Sequence, residues 1–272
     1  MAWGPLSGSS SQVITSAAAF TPSDIGGLLQ FLESDRGVTA PTDDKVTIWA
    51  DEQSGDDRDV TQTSDASRPI ETASIFDTNP GLLFDGVNDR LDRAYDTGFN
   101  FDYTDPFYVI VGIQMASDFT TGGLGQLAGQ FGTTQPNGWD CRYFTDGKLQ
   151  FVLQKAYGGG TGPYTSILGG TTLAADGKYL VEMWNTAVSN PFAYTDLNIW
   201  VNGSDDSPTE QWDGLGSDSI TGGNNPYNIG SRHDGAFPVD GYYACVGIYG
   251  SVPNTDERIS LRSYLNDKYG FY

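Results

Sequence analysis

Six tryptophans and a set of acid-rich loops are the residues of this chain whose types could do chemistry. Trp139-Asp140, Trp212-Asp213 and Asn224-Asn-Pro-Tyr227 set flat rings beside carboxylates and amides in what read as loops. Such pairs suit sugars, because a ring covers the apolar face of a pyranose while amides and carboxylates take its hydroxyls. Trp200 alternates out of phase with Leu197, Ile199 and Val201, and Trp184 with Val181 and Met183. If the two strands pair in register, both rings stand on one sheet face. The only histidine, His233, lies in Ser231-Arg-His-Asp-Gly235, a turn that adds an imidazole to a carboxylate. Candidate glycan- or partner-binding residues are therefore Trp139, Trp184, Trp200, Trp212, Tyr227 and His233. The same rings could instead cover a second sheet or form subunit contacts.

Metal and catalytic chemistry have less to work with. Asp51, Glu52, Asp56, Asp57 and Asp59 crowd one loop, and Asp205, Asp206 and Asp213 another. Calcium takes oxygen ligands of this kind, so it is the one cofactor the chain would take, with Asp51, Asp56 and Asp57 the candidate ligands. The alternative is a solvated acidic surface. Glycosidases need two carboxylates. Here Glu33-Ser-Asp35 is followed by Val38 where Glu-x-Asp-x-x-Glu requires its second Glu. There is no Gly-x-Ser-x-Gly, His-Glu-x-x-His or phosphate-loop motif. The chain reads as a non-enzyme.

The 272 residues carry 35 Asp+Glu against 14 Lys+Arg, a formal charge of −21. That balance excludes nucleic acid as a partner, since no basic patch exists to release counterions from phosphates. It equally disfavours an anionic membrane surface. Residues 1–20, rich in Ser and Gly, read as an N-terminal arm with no basic n-region or apolar core of a secretory signal. The expectation is an unexported product, with a leaderless version of a secreted protein as the alternative. Cys141 and Cys245 fit no metal spacing and read as structural thiols or a single bridge.

The elements that must position these groups are mostly strands. Phe107, Val109, Val111, Ile113 and Met115 alternate on one face, as do Leu149, Phe151 and Leu153, and Leu197, Ile199 and Val201. Asp146-Gly147, Asp176-Gly177, Asn202-Gly203 and Asp234-Gly235 mark turns between them. One helix is expected near the C-terminus, capped at Asn254-Thr255, carrying Leu261, Tyr264 and Leu265 and stopped at Gly270. These patterns predict an all-β fold, a two-sheet antiparallel β-sandwich with a short C-terminal helix, as one domain over 21–272.

Four blocks in order carry a resemblance. They are Lys45-Val-Thr-Ile-Trp-Ala-Asp-Glu-Gln-Ser-Gly55 with Arg68-Pro69; Phe84-Asp-Gly-Val-Asn-Asp-Arg-Leu91; Leu197-Asn-Ile-Trp-Val-Asn-Gly203; and Asn228-Ile-Gly-Ser-Arg232 with Asp240-Gly-Tyr-Tyr-Ala244. Together they resemble the laminin-G-like, concanavalin A-like jelly rolls of bacterial and phage proteins. The resemblance implies a scaffold, and function must come from sites. Three functions fit. The first is a decoration protein on the surface of a bacteriophage virion, capsid or tail. It would contact other virion proteins through the arm, assemble in many copies or as a homo-oligomer, and adhere to cell-surface polysaccharide. The second is a secreted, extracellular carbohydrate-binding lectin module, and the third a polysaccharide-degrading enzyme.

Overall fold

The computed structural model describes residues 19–51, 55, 57–132, 138–157, 160–188, 192–215, 220 and 224–272. The N-terminal arm before residue 19, Glu52 and the calcium candidate Asp56 lie outside the described residues.

Alternating apolar residues dictate strands, and the strands form two antiparallel sheets. Across the first sheet run Ser204–Asp205, Leu197–Val201, Lys178–Asn185, Phe107–Met115, Asp240–Tyr249, Asn79–Asp85 and Ile70–Phe76, with Leu28–Glu33 also paired to Asp240–Tyr249. The second sheet runs Thr209–Asp213, Gly160–Thr172, Lys148–Tyr157, Gly138–Tyr143, Gly125–Phe131, Tyr227–Ile229, Leu91–Arg93, Val60–Thr61, Ile48–Trp49 and Val38–Thr39. Phe107, Val109, Val111 and Ile113 from one sheet meet Trp139, Cys141, Phe151 and Leu153 from the other in the central core. The expected β-sandwich is the observed fold.

The first sheet is covered on its other face as well. Tyr108, Ile110, Leu180 and Cys245 point away from the sandwich core and pack against Leu261, Leu265 and Tyr269 of the helix Thr255–Tyr269. Asn254 caps that helix, its side chain accepting from the N–H of Asp256 and of Glu257 at 3.0 Å each. Glu257 completes the capping box by accepting from the Asn254 N–H at 2.7 Å. Gly270 ends the helix at φ 63°, a conformation costly for any side chain with a Cβ. Cys141 and Cys245 are free thiols buried on opposite sides of the first sheet, so the single bridge is ruled out.

Asn202 at φ 49° and Gly203 at φ 76° close the expected two-residue hairpin. Asp146-Gly147 likewise joins two paired strands. Asp234-Gly235 does something else: the loop 231–238 joins Tyr227–Ile229 of the second sheet to Asp240–Tyr249 of the first. The turn expected around His233 is thus part of a crossover between sheets, because its flanking strands pair with different neighbours.

Candidate functional site

The rings selected from the sequence go to three places. Trp139 and Tyr227 lie in the sandwich core and are fully buried, which corrects their expected placement in loops. Trp139 shares its strand face with Cys141 and Tyr143, and its indole N–H donates to the Phe99 carbonyl at 2.9 Å. Tyr227 packs on Phe99 with centroids 4.9 Å apart. Neither ring is available to a ligand at the surface.

Trp184 and Trp200 do share a face, as the alternation implies. Their strands pair with Glu182 opposite Trp200 and Trp184 opposite Asn198, and the rings meet edge-on at 5.8 Å. The face is already taken, however. The Arg258 guanidinium of the helix lies 4.5 Å from the Trp184 ring and 4.9 Å from that of Trp200, and Arg262 lies 5.3 Å above Trp200. Cation–π contacts of this kind fasten helix to sheet. The expected open platform is corrected to a docking surface for the chain's own helix.

Trp212 is the ring left for a ligand. It sits on the edge strand Thr209–Asp213 and is 53 % exposed. It stacks on Tyr164 of the neighbouring strand, with centroids 5.4 Å apart and planes within 18°. Gly214 makes this possible, since a Cβ there would stand 2.7 Å from the indole nitrogen. Trp212 pairs opposite Ser166, and Ile167 and Phe151 point into the core, so Tyr164, Ser166 and Gln150 face outward on the second sheet.

A chain of polar contacts runs inward from this pair along that outer face. Gln211 accepts from Gln150 Nε2 and from Ser166 Oγ, the latter at 3.3 Å. Gln150 Oε1 accepts from Arg142 Nε at 2.6 Å, and Arg142 Nη1 lies 3.3 Å from Asp140 Oδ2. Asp140 is fully buried, and burial pushes its carboxyl up to about 6 despite the arginine. In the sequence Asp140 and Gln150 look like any polar residue beside a ring or in an alternating strand; their side-by-side placement depends on register.

His233 is half-buried in the crossover loop, between Arg232 and Asp234, which form a two-pronged ion pair at 2.9 Å. That pair holds the Asp234 carboxyl below its usual range. Asp51 is used by the backbone: its carboxylate accepts from Phe31 N at 3.1 Å, and its own N–H donates to Asp59 at 2.8 Å. Asp57 is exposed at a cleft of about 720 Å³ shared with Asp59, Asp92 and Asp96. Among the described residues no three His, Cys, Asp or Glu side chains converge as metal ligands; Asp56, the third candidate beside Asp51 and Asp57, lies outside those residues.

No family model matches the chain, and no curated protein does. Among solved structures it is similar to the botulinum neurotoxin serotype D binding domain (TM-score 0.58, 11 % identity, 89 % of this chain and 52 % of that one). The binding domain of Paraclostridial Mosquitocidal Protein 1 superposes with TM-score 0.57 and 15 % identity over 90 % of this chain and 53 % of that one. Trypanosoma rangeli sialidase in complex with sialic acid gives TM-score 0.54 and 16 % identity over 93 % of this chain and 34 % of that one. The chain therefore spans between a third and about half of these proteins. At such identities the likeness shows the fold alone, a sandwich of two antiparallel β-sheets. It also corrects the expectation of a non-enzyme: one of the chains that contain this sandwich is a sialidase, an enzyme.

Proposed function

We propose that the chain is a glycan-binding adhesion module that recognises saccharides on the Tyr164–Trp212 platform. The observation that carries this reading is an exposed indole, stacked on a second ring at a sheet edge, with the part-exposed Gln211 amide beside it. A flat exposed ring offers an apolar surface that a pyranose face matches. The superposed toxin chains are named as binding domains, and the sialidase holds sialic acid. Those names support a saccharide or receptor-binding use of the same sandwich. The finer kinship with laminin-G-like modules rests on the four sequence blocks.

Display on a bacteriophage particle, in many copies, is the setting we attach to this module. Its support is the charge of −21, which keeps crowded copies apart. Mass spectrometry of purified particles tests that setting, and particles lacking the protein overturn it. The binding reading is tested by titration calorimetry against β-1,4-linked glucose, xylose, mannose and N-acetylglucosamine disaccharides and against sialyllactose. Binding to at least one of these, lost in Trp212→Ala, is expected. A blank panel overturns the reading. Product analysis after long incubation with the matching polysaccharides reports any cleavage.

A further inference from the structure

A hydrogen-bond relay fixes which way the amide beside the platform faces. It starts at a group that can only donate. Arg142 Nε donates to Gln150 Oε1 at 2.6 Å, and a guanidinium has no acceptor, so the Gln150 carbonyl must point at Arg142. Gln150 Nε2 then points the other way and donates to Gln211 Oε1. Ser166 Oγ, 3.5 Å from Gln150 Nε2, donates to the same oxygen at 3.3 Å. Turning either amide over would set donor against donor. Gln150 is buried and Arg142 is paired with the fully buried Asp140, so the relay is anchored inside the protein.

The relay ends beside the indole. Where the edge strand pairs with its neighbour, Trp212 stands opposite Ser166 and Glu210 opposite Ile167, which leaves Gln211 as one residue extra. A bulge of this kind re-aims the side chain that it adds. Gln211 and Trp212, adjacent in sequence, therefore both serve the outer face, where one meets Gln150 and the other Tyr164. With Oε1 held inward, the half-buried Gln211 offers solvent its Nε2, a group with two N–H donors and no acceptor. Among the described residues nothing accepts from that nitrogen.

We infer that the platform selects an N-acetylated hexosamine, a neutral sugar whose acetamido oxygen accepts from Gln211 while its ring lies on Trp212. The inference rests on the glycan-binding reading proposed above and narrows its substrate class. A carbonyl only accepts, so it matches a donor-only group with no proton left over. A sugar hydroxyl in the same place must still find an acceptor for its own proton, and an ammonium meets Gln211 donor to donor. A carboxylate accepts as well, but the exposed Glu210 and Asp213 flank Gln211 and Trp212 on a chain of charge −21 and repel it. Gln211 is thus a specificity-determining residue. Gln150 is a positioning residue that acts through it.

The test is titration calorimetry of the N-acetylglucosamine disaccharide beside its glucose and glucosamine counterparts. The N-acetylated form should bind about fivefold more tightly than the glucose form, the worth of one net hydrogen bond, and the glucosamine form most weakly. Gln211→Glu keeps the inward oxygen and puts a second oxygen in place of the outward NH2, so it should erase that preference and favour the glucosamine form. Gln150→Glu should shift the order the same way from inside the sheet. With oxygens facing both Arg142 and Gln211, it turns the Gln211 amide over and presents Oε1 to the ligand. A merely structural role for Gln150 would weaken all three sugars together and leave their order. Gln211→Glu changes a half-buried edge position and should unfold near the wild-type temperature, so it carries the test if Gln150→Glu does not fold. A glucose form that binds as tightly as the N-acetylated one, or an order unchanged in either folded variant, overturns the inference and leaves the Trp212 platform standing. Sialyllactose bound more tightly than the N-acetylated disaccharide overturns the neutral class. A panel that binds nothing overturns both readings.

Discussion

Arg262 Nη1 of the C-terminal helix lies 3.1 Å from Glu182 Oε1 on the first sheet, and the carboxylate has no exposure to solvent. Tyr108 OH donates to the other oxygen at 2.7 Å, so Glu182 is held from the helix and from its own sheet. Removing one partner of such a pair strands a buried charge, whereas removing both need not. Arg262→Leu is expected to cost about 3 kcal/mol in urea unfolding, and the double variant Glu182→Leu, Arg262→Leu less than that single one. Equal midpoints for wild type and Arg262→Leu would show that the pair does not hold the helix.

The tryptophans should separate cleanly. Trp200 is sandwiched between sheet and helix, so Trp200→Ala is expected to destabilise by about 2–3 kcal/mol, somewhat below the cost of a fully buried ring. Trp212→Ala removes an exposed ring and should stay within about 0.5 kcal/mol. Thermal unfolding of the two variants decides this. A larger loss in Trp212→Ala would make that ring structural and remove the platform's rationale.

This contrast shows what the chain's pattern could reveal. Strand alternation was enough to put Trp184 and Trp200 on one face, and the Asn254 cap and Gly270 stop delimit the helix. That the helix lies on that very face was not legible. Its contact residues include Arg258 and Arg262, which look like solvent-facing positions until tryptophan rings lie beneath them. Trp139 was within reach, since Trp139, Cys141 and Tyr143 alternate like any buried strand, but its neighbour Asp140 made the segment look like a loop. The Asp140–Arg142–Gln150–Gln211 row needs three strand registers at once, and no local pattern carries that.

The thiols give a simple prediction. Cys141 and Cys245 are buried, and burial raises both thiols far above the range in which a thiolate forms at neutral pH. In the folded protein neither should react with a disulfide reagent, and both should react after denaturation. Reductant should leave the unfolding temperature unchanged. A thiol that titrates in the native state would mean that one side of the first sheet is open to solvent.

Acid carboxyls set the pH dependence. Burial, helped by the nearby Asp85 charge, pushes Asp89 up to about 7, and burial takes Asp140 to about 6. In the unfolded chain both return to the ordinary value of about 4. Between about 4 and about 7 the folded state therefore holds more protons than the unfolded one, and stability from these two groups falls as pH rises. Each contribution is fully present below about 4 and is lost as pH climbs through the folded value. Asp89→Asn, a neutral side chain of the same shape, should flatten this slope between about pH 4 and 7, and Asp140→Asn should flatten its part below about 6. Urea midpoints measured across that window settle the sign. A wild-type midpoint that rises steadily across it, with the same slope in both variants, would mean that these carboxyls are ionised in the fold.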